Sequence, residues 1–269
     1  MDLSFVTQIS APRSRDDLPA PEPGTAYLAG GTWLYSEPQP TITRLVDLAT
    51  LDWPAITVHD DELELAATCT IENLCDAPLP AEWVAKSLFR PCAESLVASW
   101  KIWHTATVGG NLALALPAGA MITLCCALDA EALVWAPDGG ERRVPVDRFV
   151  TGAGRTTLGA GELIRSIHLP AAALRGRTSL RKIAYSPLGR SGALLVGRVG
   201  SDGFTLTVTA STIRPFVLRF PAPPDPGLLS RSLSEQISVD DYLTDAHGAA
   251  DWRRHVTGVL AEEIRRELE

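Results

Sequence analysis

The sequence predicts an α+β protein in two parts, on three observations. Short stretches alternate apolar and polar residues on either side of turn-forming residues, as antiparallel strands do. Residues 131–135 and 142–146 flank Asp138-Gly139-Gly140, and residues 193–198 and 204–209 flank Gly200-Ser201-Asp202-Gly203. An apolar run over 121–128 follows Pro117 and suits about two turns of buried helix. Residues 251–269 predict a final amphipathic helix, with Trp252, Val256, Val259, Leu260 and Ile264 on one side and Glu262/Arg266 as an i,i+4 pair on the other.

Composition bounds the function. With 46% hydrophobic and 21% charged residues the chain is that of a packed soluble protein, and its formal charge of −8 argues against a broad nucleic-acid footprint. No run approaches the roughly 18 apolar residues of a membrane span. Met1-Asp2-Leu3-Ser4-Phe5 lacks the basic and apolar regions of a signal peptide, so a cytoplasmic protein is expected. The five cysteines (Cys69, Cys75, Cys92, Cys125, Cys126) show no Cys-x-x-Cys spacing and read as reduced, mostly buried thiols. The histidines are scattered, and no metal site is expected on this chain.

Taken in order, residues 11–25 hold four prolines and read as a surface connection. Strands are expected over 26–29, 44–48 and 63–67, then a short helix opened by Thr70. Val84, Leu88, Cys92, Leu96 and Val97 recur at three to four, which predicts an amphipathic helix over 81–100 interrupted near Pro91. Another strand is expected over 163–169. Residues 171–177 form the candidate boundary between a first domain, 1–170 (sub-lobes about 1–55 and 56–170), and a second, 178–269. The second contains three antiparallel strands, 180–185, 193–198 and 204–209, and a rigid proline linker over 221–226.

Two stretches carry the chemistry. Thr105-Ala106-Thr107-Val108-Gly109-Gly110-Asn111 places paired glycines before the apolar helix, where backbone free to take positive φ can leave N–H groups uncovered for an anion. Asn111 suits the end of such a turn. The same chemistry stands upstream in Tyr27-Leu28-Ala29-Gly30-Gly31-Thr32-Trp33-Leu34. Two such turns can grip one diphosphate with main-chain donors and threonine hydroxyls, which suits a chain of negative charge.

Together these stretches resemble the Ala-Gly-Gly-Thr and Thr-(Ile/Val)-Gly-Gly-Asn signatures of the FAD-binding subunit of the molybdenum hydroxylases, the xanthine dehydrogenase and carbon monoxide dehydrogenase family. The resemblance implies a two-part FAD-binding domain of the PCMH type, then a smaller domain with a three-stranded antiparallel sheet and C-terminal helices. It implies FAD on this chain, held by residues 27–34 with Thr107, Gly109, Gly110 and Asn111. Leu163, after Glu162, and Lys182 are implied near the flavin ring system. The molybdenum cofactor and [2Fe-2S] clusters are implied on partner chains, a molybdopterin-binding large subunit and a [2Fe-2S] small subunit, assembled as a dimer of heterotrimers. Electrons would pass from those clusters through FAD to an acceptor such as NAD or a quinone.

The sequence also departs from that pattern. Trp103-His104 stands where relatives carry Arg-Asn, with Trp103 expected as a buried aromatic under the turn. Leu114, Leu116 and Ala120 replace polar positions, including a carboxylate at 120. Two further readings therefore stay open: a structural subunit with a degenerate flavin site, and a self-contained flavin oxidase. If the chain carries FAD, Gly110→Val is expected to lose it through a backbone clash.

Overall fold

The computed structural model describes residues 3–269; the expectation about a leader rests partly on Met1 and Asp2, which lie outside them. A small parallel sheet comes first, β1 (Gln8–Ser10), β2 (Thr25–Leu28) and β3 (Arg44–Asp47), in the order β1-β3-β2. Between β1 and β2 the prolines leave room only for a 3-10 turn, Arg15–Asp17.

β4 (Ile56–Val58) and β5 (Glu62–Ala66) then lead to α1 (Ile71–Cys75), whose cap is Thr70: its hydroxyl accepts from the N–H of Asn73 at 3.1 Å. The single helix expected over 81–100 is broken into a 3-10 turn, Val84–Leu88, α2 (Phe89–Glu94) and α3 (Trp100–Trp103). Pro91 does not interrupt it. It sits in the first turn of α2, where a missing N–H costs little, and its carbonyl accepts from Ser95 N–H. The break falls at Val97, whose φ of 54° a helix cannot hold.

Next come α4 (Val108–Leu114) and α5 (Ala120–Ala127). Every residue of α5 is buried, so it is a core helix with no polar face. The hairpin β6 (Glu131–Trp135) and β7 (Glu141–Pro145) turns through Gly139 at φ +88°. After α6 (Val146–Phe149), β8 (Val150–Gly152) and β9 (Arg155–Thr156), strand β10 (Leu163–Pro170) closes an antiparallel sheet of order β4-β5-β10-β6-β7.

That sheet is pinned across its strands by Glu62, which accepts from both Nη atoms of Arg143 at 2.9 and 3.0 Å and meets His168 Nδ1 at 2.8 Å. The Arg143 fork, helped by His168, holds the Glu62 carboxyl down to about 2 from an ordinary 4.5. A depressed carboxyl pKa means this stabilisation is whole above pH 4.5 and is lost as pH falls towards 2. Unfolding free energies measured by urea titration at about pH 5 and about pH 3 should therefore differ less in Glu62→Gln than in the parent chain.

Beyond α7 (Ala171–Leu174) the second sheet has four strands and not the expected three: β11 (Arg177–Ile183), β12 (Ala193–Gly200), β13 (Gly203–Thr209) and β14 (Phe216–Phe220), paired antiparallel in sequence order. The fourth strand turns Phe216, Leu218 and Phe220 inward. The proline stretch 221–226 is also more than a linker. Its Asp225 accepts from Leu228 N–H at 2.9 Å and caps α8 (Pro226–Gln236), with Pro226 in the first position that tolerates it. The chain ends in α9 (Ala250–Leu268), which buries Val256, Leu260, Ala261, Ile264 and Leu268; Val259, expected on that side, is 46% exposed.

One core runs from Leu63 through α5 to Leu194, Val196 and Ala210, so the second sheet lays one face on the first part of the chain. Its other face, with Ala193, Leu195, Phe204 and Leu206, packs under α9. Polar bonds fix the first contact: Ala210 N–H donates to Pro117 O at 2.9 Å, and the Thr123 and Thr209 hydroxyls meet at 2.7 Å.

Candidate functional site

The two Gly-Gly stretches lie against one another. An added Cβ at Gly30 would overlap the Thr105 carbonyl oxygen, with the carbonyl carbon at 2.7 Å and Ala106 Cα at 3.2 Å. Backbone therefore rests directly on backbone between the first turn and the approach to the second, and only glycine permits it. Gly31 has φ +67°, and its carbonyl accepts from Tyr35 N–H at 2.9 Å, which starts a single helical turn.

The two stretches differ in what they leave open. Among the described residues, the N–H groups of Gly30, Gly31, Thr32, Trp33 and Leu34 have no hydrogen-bond partner, and neither has the Thr32 hydroxyl. That is the uncovered row of donors the sequence predicts. At the second stretch the N–H groups from Val108 to Asn111 are all spent. Val108 N–H donates to Cys69 O (2.9 Å), Gly109 N–H to Ala67 O (3.1 Å), Gly110 N–H to the Thr107 hydroxyl (3.0 Å) and Asn111 N–H to Thr107 O (3.0 Å).

Gly109 and Gly110 are also not at positive φ; they form the first turn of α4 behind its cap, Thr107. Gly109 is glycine because Ala67 Cα would lie 2.7 Å from its Cβ, whereas a Cβ at exposed Gly110 would meet only Thr107 Oγ1 at 2.9 Å. The backbone clash expected at 110 belongs to 109. Asn111 does not end a left-handed turn either: its Oδ1 accepts from Met121 N–H at 3.1 Å and so caps α5 from α4.

The remaining expected residues fall in two other places. Tyr27 donates its hydroxyl to Gly161 O at 2.8 Å and, with Leu163, Trp135 and Arg15, lines a cavity of about 470 Å3 between the two sheets of the first part. Leu28 and Leu34 are half-buried; the Leu28 side chain packs beneath Gly31, and Ala29 leads into the turn. Lys182 lies opposite Leu194, on the sheet face that looks toward α5, and the surrounding protein lowers its pKa by desolvation. No contact joins Lys182 to either turn.

Beside Asn111 is a hollow of about 310 Å3, walled by Leu96, Val97, Leu116 and Gly119, and on its far side by Leu188 and Arg190 of the β11–β12 loop. Arg190 has no ion pair among the described residues. Leu188 and Val97 carry no sequence signal for this role, since the left-handed turn at 97 creates the wall. Trp103, expected as a buried aromatic under the turn, is half-buried against the core, and its Nε1 finds no partner among the described residues; His104 pairs with Glu72. Ala120 is fully buried at the start of α5. Burial pushes the thiols of Cys69 and Cys75 up to about 12 and about 11, so these cysteines stay protonated.

Residues 12–172 match the family described as the FAD binding domain in molybdopterin dehydrogenase, well over half of the chain. The chain belongs to that family. A comparison of this FAD-binding chain with curated proteins gives no match. Its fold resembles a chain of quinoline 2-oxidoreductase from Pseudomonas putida 86, at 18% identity and TM-score 0.78, covering 100% of this chain and 98% of that one. It also resembles chains of carbon monoxide dehydrogenase from Hydrogenophaga pseudoflava (18%, 0.79, 98% and 97%) and Oligotropha carboxidovorans (20%, 0.78, 100% and 100%).

The residues fit the diphosphate of FAD on one side. The donors at 30–34 and the Thr32 hydroxyl supply neutral, directional hydrogen bonds, and a diphosphate needs them where the net charge of the chain is unfavourable. At the second turn Gly110 is exposed and carries no side chain.

Proposed function

We propose that the chain is the FAD-carrying electron-transfer subunit of a heteromeric molybdenum-containing hydroxylase or dehydrogenase. The observation that carries this is the pair of Gly-Gly stretches in backbone contact, with the donors of the first left open. Bound FAD would supply a centre stable at both the one-electron and two-electron levels. Residues 30–34 would hold its diphosphate, Gly110 would let it approach α4, and the hollow by Asn111 with Arg190 would receive its ring end. Lys182 would act from the sheet face beyond and Tyr27 and Leu163 from the cavity between the sheets.

Electrons would come from [2Fe-2S] centres on a small partner chain, fed by a molybdopterin-binding large chain, and leave to an acceptor such as NAD or a quinone. The neighbours named for carbon monoxide dehydrogenase, one of them a Cu,Mo enzyme, support this reading. A cytoplasmic dimer of heterotrimers, with xanthine dehydrogenase-like electron flow, completes it.

Gly110→Val separates cofactor from fold. An added Cβ meets Thr107 Oγ1, the cap hydroxyl of α4, at 2.9 Å and no other neighbour within 4 Å, so the cost should be near that of a lost cap, about 1 kcal/mol or about 2–4 °C of melting temperature. The new side chain should nonetheless block approach to the open donors and lower FAD content at least about tenfold. Full FAD in a folded variant would refute the placement. The Ala120, Leu114 and Leu116 replacements favour the degenerate-site alternative, and stoichiometric FAD in the parent assembly would exclude that.

A further inference from the structure

Arg253 stands where a charge is doubly disfavoured. It is 1% exposed, and it lies in the first turn of α9, where the helix dipole opposes a cation. Its donors nonetheless all point at acceptors of distant segments. Nε donates to Gly248 O at 3.1 Å, Nη1 to Gly192 O at 3.0 Å and to Ala210 O, and Nη2 to Asp245.

The two carbonyls on Nη1 lie behind opposite walls of the hollow beside Asn111. Gly192 N–H donates to Ile183 O at 2.8 Å, and this pair closes the β11–β12 loop that carries Leu188 and Arg190. Ala210, at φ +63°, donates its N–H to Pro117 O at 2.9 Å, between Leu116 and Gly119 of the facing wall. A single nitrogen therefore ties the far wall to the near one. The planar fork fixes both directions at once, whereas the donors of an ammonium rotate.

Trp252 supports the same loop. A Cβ at Gly192 would come within 2.6 Å of its ring, and one at Gly248 within 2.7 Å. Tyr185, near the other end of the loop, lies against that ring with centroids 4.9 Å apart. Both ends of the loop thus rest on one indole. Arg190 has no ion pair among the described residues, so its place depends on that footing.

We propose that Arg253 and Trp252 are positioning residues for the ring end of the flavin, fixing the spacing of the walls and holding Leu188 and Arg190 over the hollow. The proposal rests on the flavin reading, and neither side chain lines the hollow itself. Without this strut the diphosphate end stays with residues 30–34, and the ring end comes free.

Hydrogen exchange of the full-length chain, read by mass spectrometry with and without FAD, follows the two ends separately. In the parent, FAD should slow exchange at 30–34 and across 184–192. In Arg253→Lys and in Trp252→Leu it should still slow 30–34, while 184–192 exchanges about tenfold faster than in the FAD-bound parent. The midpoint potential of the bound flavin should fall in both, because the Arg190 cation no longer stands where reduction adds negative charge. Arg198→Lys is the control: Arg198 is also 1% exposed but lies toward the opposite end of β12, and the change should move neither readout.

Protection of 184–192 as strong in both variants as in the parent would overturn the proposal, and so would an unmoved potential or a parent loop that FAD leaves unprotected. Equal loss in Arg198→Lys would reduce the effect to general loosening and overturn it as well. Protection missing from 30–34 in the parent would refute the flavin reading itself, and this inference would fall with it.

Discussion

Gly30→Ala should strip the protein of FAD and lower its stability together. The added methyl group would occupy the space of the Thr105 carbonyl, which is backbone and cannot rotate away. Relief requires moving the first turn off the approach to the second, which undoes the geometry that presents the donors at 30–34. Overpacking of this severity costs about 3 kcal/mol, and if the same displacement is charged to binding, affinity falls about a hundredfold. FAD released per chain on denaturation, read beside the melting temperature, measures both. A variant that keeps full FAD would show that the contact of the two turns does not build the site.

Arg198→Ala should be the most damaging change far from the turns. The side chain is fully buried and donates to Ala127 O at 3.1 Å, the last carbonyl of α5, and to both oxygens of Asp202 at 3.0 and 2.9 Å; it also pairs with Asp129. A cation at a helix C-terminus is favoured by the helix dipole. Removing one member of a buried charged cluster costs about 3–5 kcal/mol. Asp129 keeps Arg219 at 2.6 Å, so the lower end is expected. At about 2–4 °C per kcal/mol for a chain of this size, the melting temperature should drop by roughly 6–12 °C. Arg198→Lys should recover only part, because an ammonium lacks the fork that reaches three partners. A loss under about 1 kcal/mol in the alanine variant would mean the cluster contributes specificity and little stability.

Strand alternation and glycine turns made most of the sheet elements legible, because a half-buried strand writes its burial into every second residue. What stayed hidden depended on contacts remote in sequence. Phe216, Leu218 and Phe220 alternate plainly, but the strand is short and sits between proline-containing stretches that read as loop. The break at Val97 overrides a good helical period, since a left-handed residue leaves no mark on apolar spacing. The glycine pairs were recognisable as a site, yet their division of labour was not. Whether an N–H faces outward or is taken by Ala67 or Cys69 depends on where a distant strand end lies. Asn111 shows the same limit: its partner is ten residues on, in another helix.

Strand β12 is walled by protein on both sides. Leu194 and Val196 point into the core that holds α5, while Ala193 and Leu195 point at α9. The stretch matching the FAD-binding family stops at residue 172, but the molecule has no seam there. A fragment cut at that point would bare the apolar side of α5, and the remainder would bare the other half of the same wall. The sheet beyond that border thus shares a core with the residues before it.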